Sequence, residues 1–395
     1  MADRLKESRY GWVVVLCAFT LMGVGFATAY SFAVFFPSFE SEFGASRAHV
    51  SLVFSLCAFL YFLLGAPGGV LADRYGTRAV ALTGTACLVL GLAAASQAGS
   101  VEVLYLTYSI GLGIGLGFTY VPSVAAVQPW FERNRVLASG IAVSGIGVGN
   151  LVGPPLAAWG IEALGWRGAY LAMAAVTAVF GGLAAFAIRN RPVGQARPAD
   201  GSTLPQAMRQ ANFWVLYATL GLSGFGCFVP MVHVGRYAVD AGHPESFAVL
   251  LVSLIGLGSL AGRFLVGSLA ARLGRMRSLA FLYLAMAAML LLWWTTSNAL
   301  LLAVMAVGFG MSYGGFVATF PSVVMDLFGA RSVAGIIGVL YTAAGIGTLF
   351  GPPVTGAAYD ATGSYSVPIL GAAVLALVAA LMTAVLLRPA PGARA

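Results

Sequence analysis

One arginine, Arg263, sits inside an otherwise apolar run from Leu254 to Gly274, nine positions before Arg272. With Arg272 at the polar end of a helix, nine residues correspond to ~13 Å of rise. That depth is near the middle of a hydrocarbon layer ~30 Å thick. A cation there costs anything from a few to more than about ten kcal/mol, so it must face a bundle interior or a wet cavity and meet an anion. A guanidinium offers paired donors that match a carboxylate, and it does not deprotonate. The chemistry implied is recognition of one anion. Tyr120, Tyr313 and Tyr341 lie roughly ten to thirteen residues from flanking charges, ~15 to 20 Å in and level with Arg263. A phenol can donate to the second carboxylate oxygen or to a hydroxyl while its ring contacts a short alkyl chain. Tyr30 and Asn150 fall nearer the opposite face, as entrance residues, and Phe316 and Phe320 are candidate apolar walls. His233, seven residues before Asp240, titrates in the range a proton carrier needs. It serves equally well as a helix-to-helix hydrogen bond.

The elements that hold these residues are apolar. The chain of 395 residues is 60% hydrophobic and 9% charged, with a mean hydropathy of +0.91, where a soluble domain carries roughly a quarter charged residues. Twelve apolar segments of spanning length lie between residues 11 and 387, so the expected fold is an all-α membrane protein with twelve transmembrane helices. The first segment follows a short charged stretch and exceeds a signal-peptide core of ~7 to 15 residues, so it reads as a retained span. Cys17, Cys57, Cys87 and Cys227 all fall in apolar runs without metal spacing, which gives no disulfide framework and no metal site. No cofactor motif is present.

Of the twenty-one Lys and Arg residues, seventeen fall on the side holding the N-terminus. Three, Arg47, Arg167 and Arg236, fall on the other, and Arg263 is buried. This asymmetry predicts an inner-membrane protein with both termini cytoplasmic. It also accounts for the net charge of +8 without invoking nucleic acid.

An internal repeat appears at a shift of 198 residues. Gly69, Leu71, Ala72, Arg74 and Gly76 fall on Gly267, Leu269, Ala270, Arg272 and Gly274. Gly147, Gly149, Gly153, Pro154 and Pro155 fall on Gly345, Gly347, Gly351, Pro352 and Pro353. The expected organisation is two pseudo-symmetric six-helix halves, residues 1–189 and 212–395, joined by a polar cytoplasmic linker over 190–211. Parallel repeats of this kind belong to transporters whose site lies between the halves at mid-membrane. The repeat-mate of Arg263 is Gly65, so the cavity has its cation on one half only, which suits one carboxylate better than two. One chain supplies both halves, so a monomer suffices.

The loop Gly69-Val-Leu-Ala-Asp73-Arg74-Tyr-Gly76-Thr-Arg78 resembles the signature of the major facilitator superfamily between its second and third spans. The resemblance implies a conformational role for Gly69, Asp73, Arg74, Gly76 and Arg78, in which Asp73 and the arginines bridge cytoplasmic helix ends and hold the halves in one state. Trp130-Phe-Glu-Arg133-Asn-Arg135-Val-Leu-Ala-Ser-Gly140 and onward to Gly145, the entrance Tyr10-Gly11-Trp12, and Met231-Val-His233 through Asp240 are similar to monocarboxylate transporters and the related oxalate:formate exchangers. In that family the arginine of the eighth span binds the substrate carboxylate, and Arg263 matches its position. Two departures stand out. Animal carriers place an aspartate one turn before this arginine and a lysine in the first span, where this chain has Ser259 and no lysine between Gly11 and Phe36. The oxalate exchangers carry a lysine in the eleventh span, and none lies between Ser332 and Tyr359. The expectation is a secondary carrier, not an enzyme. It moves a small monocarboxylate such as lactate or pyruvate, with a proton, by alternating access, and carboxylate exchange of the oxalate:formate type is the alternative.

Overall fold

The computed structural model describes residues 9–131, 135–189, 201–329 and 331–386. Among them, eleven continuous helices are long and apolar enough to cross a membrane. The longest, Leu137–Ala187, is two crossings. Gly165 breaks it with φ 69° and ψ 166°, and a Cβ added at Gly160 would lie 3.3 Å from that of Ala169. In one straight helix those residues stand ~13 Å apart. The chain therefore doubles back at Gly165, and twelve crossings result, as the hydropathy predicts.

They are α1 (Arg9–Phe43), α2 (Arg47–Tyr75), α3 (Thr77–Ala95), α4 (Val101–Trp130), α5 (135–164) and α6 (166–187). The second set is α7 (Ala211–Asp240), α8 (Glu245–Leu273), α9 (Arg275–Thr295), α10 (Ala299–Phe328), α11 (Val333–Thr362) and α12 (Ser366–Leu386). Part of the linker is described. Gly201 pairs with Gly329 at the end of α10, and a single turn, Leu204–Met208, is closed by a Thr203/Gln206 capping box. Residues 190–200 and the loop cations Arg4, Lys6, Arg133, Arg191, Arg197, Arg388 and Arg394 lie outside the described residues.

Packing repeats as the sequence does. Helix α1 runs along α5 as α7 runs along α11, and α2 along α4 as α8 along α10. The two sets meet where α2 crosses α11 and where α5 crosses α8. The repeat reaches individual contacts. Gly149 and Gly153 lie against the carbonyls of Gly23 and Ala27, and 198 residues later Gly347 and Gly351 lie against those of Gly221 and Phe225. Only hydrogen at these positions lets the backbones touch. The repeat-mates Gly76 and Gly274 turn α2 into α3 and α8 into α9 at φ 87° and 79°, conformations that a side chain disfavours. Exposed Trp12 and Trp214 near the terminal side, and Trp159 and Trp294 near the far side, mark the two membrane interfaces.

A test follows from the seam between α7 and α11. Gly351→Val would drive its side chain into the Phe225 carbonyl and should cost about 1–3 kcal/mol or more through overpacking. Thermal unfolding of the purified protein in detergent reads this out. Gly335→Ala, on the same helix with open space beside it, should hold the transition or raise it slightly.

Candidate binding site

The site is built on the crossing of α5 and α8. Gly147 admits the backbone of Leu260, and Gly256 admits that of Asn150, to which a Cβ would approach within 2.5 Å. These small residues set an antiparallel register that carries Arg263 onto the α5 main chain. Its Nη1 donates to the Val143 carbonyl at 2.6 Å. Nε and Nη2 are buried, and neither finds a partner among the described residues. The guanidinium therefore meets no carboxylate among the described residues, and two of its donor groups stay free for an anion. Around it, within electrostatic reach, stand the phenols of Tyr313, Tyr120, Tyr30 and Tyr341.

A cavity of about 40 Å³ opens among these phenols. Tyr30, Tyr61, Tyr120, Tyr313 and Tyr341 line it, with Phe26, Phe62, Phe228 and Phe316 as apolar wall. Their rings hold one another. Tyr120 and Tyr61 both meet Phe26 edge-on, at 5.6 and 5.8 Å, and Tyr341 meets Phe62 edge-on at 5.7 Å. No acidic side chain is among the described residues that line the cavity. A ligand with an ammonium group would find no counter-charge there, whereas a carboxylate with a short apolar tail finds both Arg263 nearby and an aromatic wall.

The structure brings Tyr120, Tyr313 and Tyr341, which the depth argument places together, to this cavity, with Phe316 in its wall. It corrects the placement of Tyr30. Instead of lining an outer entrance, Tyr30 is 2% exposed, and its hydroxyl hydrogen-bonds that of Tyr313 at 2.9 Å across the two halves. The reason is the length of α1, which continues to Phe43 and leaves Tyr30 deeper than a span ending near residue 38 would. Asn150 is likewise buried, at 1% exposure, in the seam between α5 and α8. Phe320 stands behind the cavity, stacked on Tyr341 at 5.8 Å. His233 is fully buried and does not line this cavity. Its Nε2 donates to the Pro352 carbonyl at 2.8 Å, joining α7 to α11 within one half, and its ring sits between Phe36 and Tyr365. This is the helix-to-helix reading of His233.

The halves are joined on the side away from the termini. Arg47, at the start of α2, binds Asp240 at the end of α7 with Nη1 at 2.5 Å and Nη2 at 3.0 Å. Its Nε reaches Glu40 at 3.1 Å, and its guanidinium lies over Tyr359 at 3.8 Å. Arg236 pairs with the other Glu40 oxygen at 2.8 Å. From α11, Asp360 accepts the backbone N–H groups of Arg47 and Ala48, so one half caps a helix of the other. Sequence reading counted Arg47 and Arg236 only as loop charges; their convergence depends on tertiary structure. On the terminal side Arg74 is exposed beside Tyr75, and Arg78 stacks on Phe186 of its own half. Among the described residues the contacts of Arg74 and Arg78 stay within their own half, and the side chain of Asp73 lies outside the described ones. Sequence reading also passed over Tyr61. It is the repeat-mate of Ser259, so the 198-residue offset applied to the neighbours of Arg263 would have found it.

The whole chain has relatives. The sequence profile of the Major Facilitator Superfamily matches residues 15–343 and, in a second match, 250–395. Monocarboxylate transporter 13 of Rattus norvegicus is 30% identical over 379 residues, 94% of this chain and 88% of its own. The same transporter of Bos taurus is 29% identical over 378 residues with the same coverage. Monocarboxylate transporter 3 of Rattus norvegicus is 30% identical over 382 residues, 91% of this chain and 76% of its own. Among solved structures, a bacterial homolog of the human lysosomal transporter Spinster, inward-facing and unoccupied, superposes with a TM-score of 0.74 over 95% of this chain and 96% of that one. The identity is 17%, a likeness of fold. The cavity between repeated six-helix sets and these full-length relatives agree: the chain is a transport protein, not an enzyme, and it belongs to the major facilitator superfamily and, within it, to the monocarboxylate transporter family.

Proposed function

We propose that the protein carries small monocarboxylates such as L-lactate or pyruvate across the inner membrane, together with a proton. Arg263 takes the carboxylate, and Tyr120, Tyr313, Tyr341 and Tyr30 surround it. The observation that carries this reading is the buried guanidinium with Nε and Nη2 unpaired beside an aromatic cavity without acidic groups. The relatives named monocarboxylate transporters support the substrate class. Halves 1–189 and 212–395 rock about the 190–211 linker, and the far-side ion pairs close one exit. With the termini in the cytoplasm, as the cation asymmetry argues, this conformation faces inward. Proton coupling needs no carboxylate beside Arg263. A guanidinium that loses its anion in a dry cavity resists moving empty, and the substrate brings its proton on the acid itself or at the site. A monomer is sufficient.

Uptake of labelled L-lactate into proteoliposomes tests this. An inward proton gradient should stimulate uptake roughly tenfold or more, since each pH unit of gradient is worth about 1.36 kcal/mol. Uptake that requires carboxylate loaded inside and ignores the gradient would replace symport with exchange. No uptake under either condition would remove the substrate assignment.

A further inference from the structure

A second cavity lies away from the binding site, on the outer face of the C-terminal half. It is a groove of about 350 Å³ between α8 and α9, floored by α10. Leu265 of α8, Phe281, Ala285 and Met289 of α9 and Met311 of α10 line it, and Leu265 and Phe281 stand half-exposed at its rim. Packing explains the opening. Gly258 and Gly262 of α8 lie against the Val307 and Met311 carbonyls of α10, and Gly310 and Gly314 lie against those of Ile255 and Ser259, so α8 and α10 touch backbone to backbone. On α9 the repeat fails. Its counterpart α3 approaches α4 through Gly84 and Gly91, where a Cβ would meet Gly115 and Gly111 at 2.8 Å. At the same positions 198 residues later stand Leu282 and Met289. They reach onto Gly315 and Gly308 of α10, hold α9 off, and both line the groove.

The interior of the groove is apolar. Ser312 gives its one hydroxyl among the described residues, and that hydroxyl donates to the Gly308 carbonyl of its own helix at 2.9 Å, so a polar solute finds no partner there. The mouth is cationic. Phe281 lies one turn, ~6 Å of rise, from Arg277, and Met289 lies ~18 Å from it. The groove therefore runs from the interface to about the middle of a ~30 Å hydrocarbon layer. Arg272, Arg275 and Arg277, at the turn from α8 to α9, are all exposed, and Arg275 pairs with Asp326 of α10. In the matching loop of the other half an acid, Asp73, precedes Arg74, whereas Ala271 precedes Arg272. This mouth keeps its positive charge.

We propose that this groove binds an anionic phospholipid from the leaflet on the side of the termini, with one acyl chain between α8 and α9 and the phosphate at Arg272 and Arg277. A zwitterionic lipid fills the groove but leaves the cations uncompensated, since its own ammonium offsets its phosphate. A free phosphate meets the cations but leaves the groove empty. A second copy of the chain would bring further arginines to a mouth already positive, and like charges brought together oppose association. Basic pockets between membrane helices hold anionic headgroups through the same attraction. The acyl chain lies beside the contact of Gly262 with Met311, and the next residue is Arg263, so bound lipid supports the helix that carries the buried cation.

The test is native mass spectrometry of the full-length protein, purified in detergent and incubated with dioleoylphosphatidylglycerol, dioleoylphosphatidylcholine or glycerol 3-phosphate, with thermal unfolding followed on the same samples. Wild type should retain one phosphatidylglycerol about tenfold or more tightly than phosphatidylcholine, since each arginine near the surface is worth about fivefold. It should unfold at a higher temperature with that lipid, and glycerol 3-phosphate should have neither effect. Arg272→Ala with Arg277→Ala should bring phosphatidylglycerol down to the level of phosphatidylcholine. Ala285→Trp, which fills the groove, should lose both lipids. Equal retention of the two lipids by wild type overturns the proposal, and so does a preference for phosphatidylglycerol that survives loss of both arginines. Stabilisation by glycerol 3-phosphate alone would reduce the mouth to an anion site and overturn it as well. A paired chain without lipid would overturn it in favour of self-association. Should Ala285→Trp fail to fold, Ala285→Leu decides: severalfold weaker retention supports the groove, and retention equal to wild type overturns it.

Discussion

Arg263→Ala abolishes gradient-driven lactate uptake, with kcat/KM falling by about a hundredfold or more. Losing one partner of a desolvated, hydrogen-bonded charge pair costs about 2–5 kcal/mol, and each 1.4 kcal/mol is a factor of ten. Arg263→Lys should recover only a small part of this. An ammonium keeps the charge, but it cannot present the planar pair of donors, Nε and Nη2, that this site leaves open. The Nη1 bond to the Val143 carbonyl raises the rival reading that Arg263 is a strut between α5 and α8. Stability separates the two. A strut replaced by alanine would lower the unfolding temperature of the purified protein, whereas removing a buried cation that meets no carboxylate among the described residues should leave it unchanged or raise it. Intact uptake in Arg263→Ala would end the carboxylate assignment. Intact uptake in Arg263→Lys would leave charge as the sole requirement and weaken the case for a bidentate site.

Much of this architecture is legible without coordinates because a bilayer imposes strong rules. Spans must be apolar and helical, so their number follows from hydropathy, and a lone arginine such as Arg263 is conspicuous against that background. The 198-residue repeat carries even the contact pairs Gly149–Gly23 and Gly347–Gly221. Depth was less legible than identity. Hydropathy puts Tyr30 too far out because α1 continues beyond its apolar stretch to Phe43, through polar residues at which the apolar signal ends. The far-side cluster was invisible because Glu40, Arg47, Asp240 and Asp360 come from four separate helix ends. Each alone reads as an ordinary interfacial charge, and only the crossing of α2 with α11 and the closeness of α7 unite them. His233 could not be decided from its type, since a buried imidazole serves a carbonyl and a proton path equally well; the Pro352 carbonyl at 2.8 Å weighs for the former.

The far-side cluster carries the second large effect. Arg47→Ala should shift the carrier toward the state open on the side away from the termini. Surface ion pairs contribute little, about 0–1 kcal/mol, but the Arg47 side chain is 8% exposed and those of Glu40 and Asp240 are 19% and 25% exposed. Breaking a buried pair costs about 3–5 kcal/mol, and the effective cost here lies between the two ranges. Removing Arg47 also leaves Glu40, Asp240 and Asp360 with Arg236 as the one remaining cation named in the cluster, so Glu40 of one half faces Asp240 and Asp360 of the other. The part of that loss that spans the halves, Arg47 with Asp240, falls on the closed state alone, because opening separates those two partners anyway. A change of about 2.7 kcal/mol alters a two-state ratio a hundredfold, enough to move a carrier that rests closed toward the open form. Cys227 reports it. Its thiol lines the central cavity and is 5% exposed, so with Cys17, Cys57 and Cys87 replaced by alanine, a membrane-impermeant maleimide added from the far side reaches it only when that exit opens. Labelling should rise about tenfold or more in Arg47→Ala, and less in Asp240→Asn, which keeps Arg47 against Tyr359 and Tyr365 of the other half. Net uptake should fall in the same variant, because a carrier held open on one side completes fewer cycles. Equal labelling in wild type and Arg47→Ala would mean that close packing between α2 and α11, rather than charge, holds this exit shut.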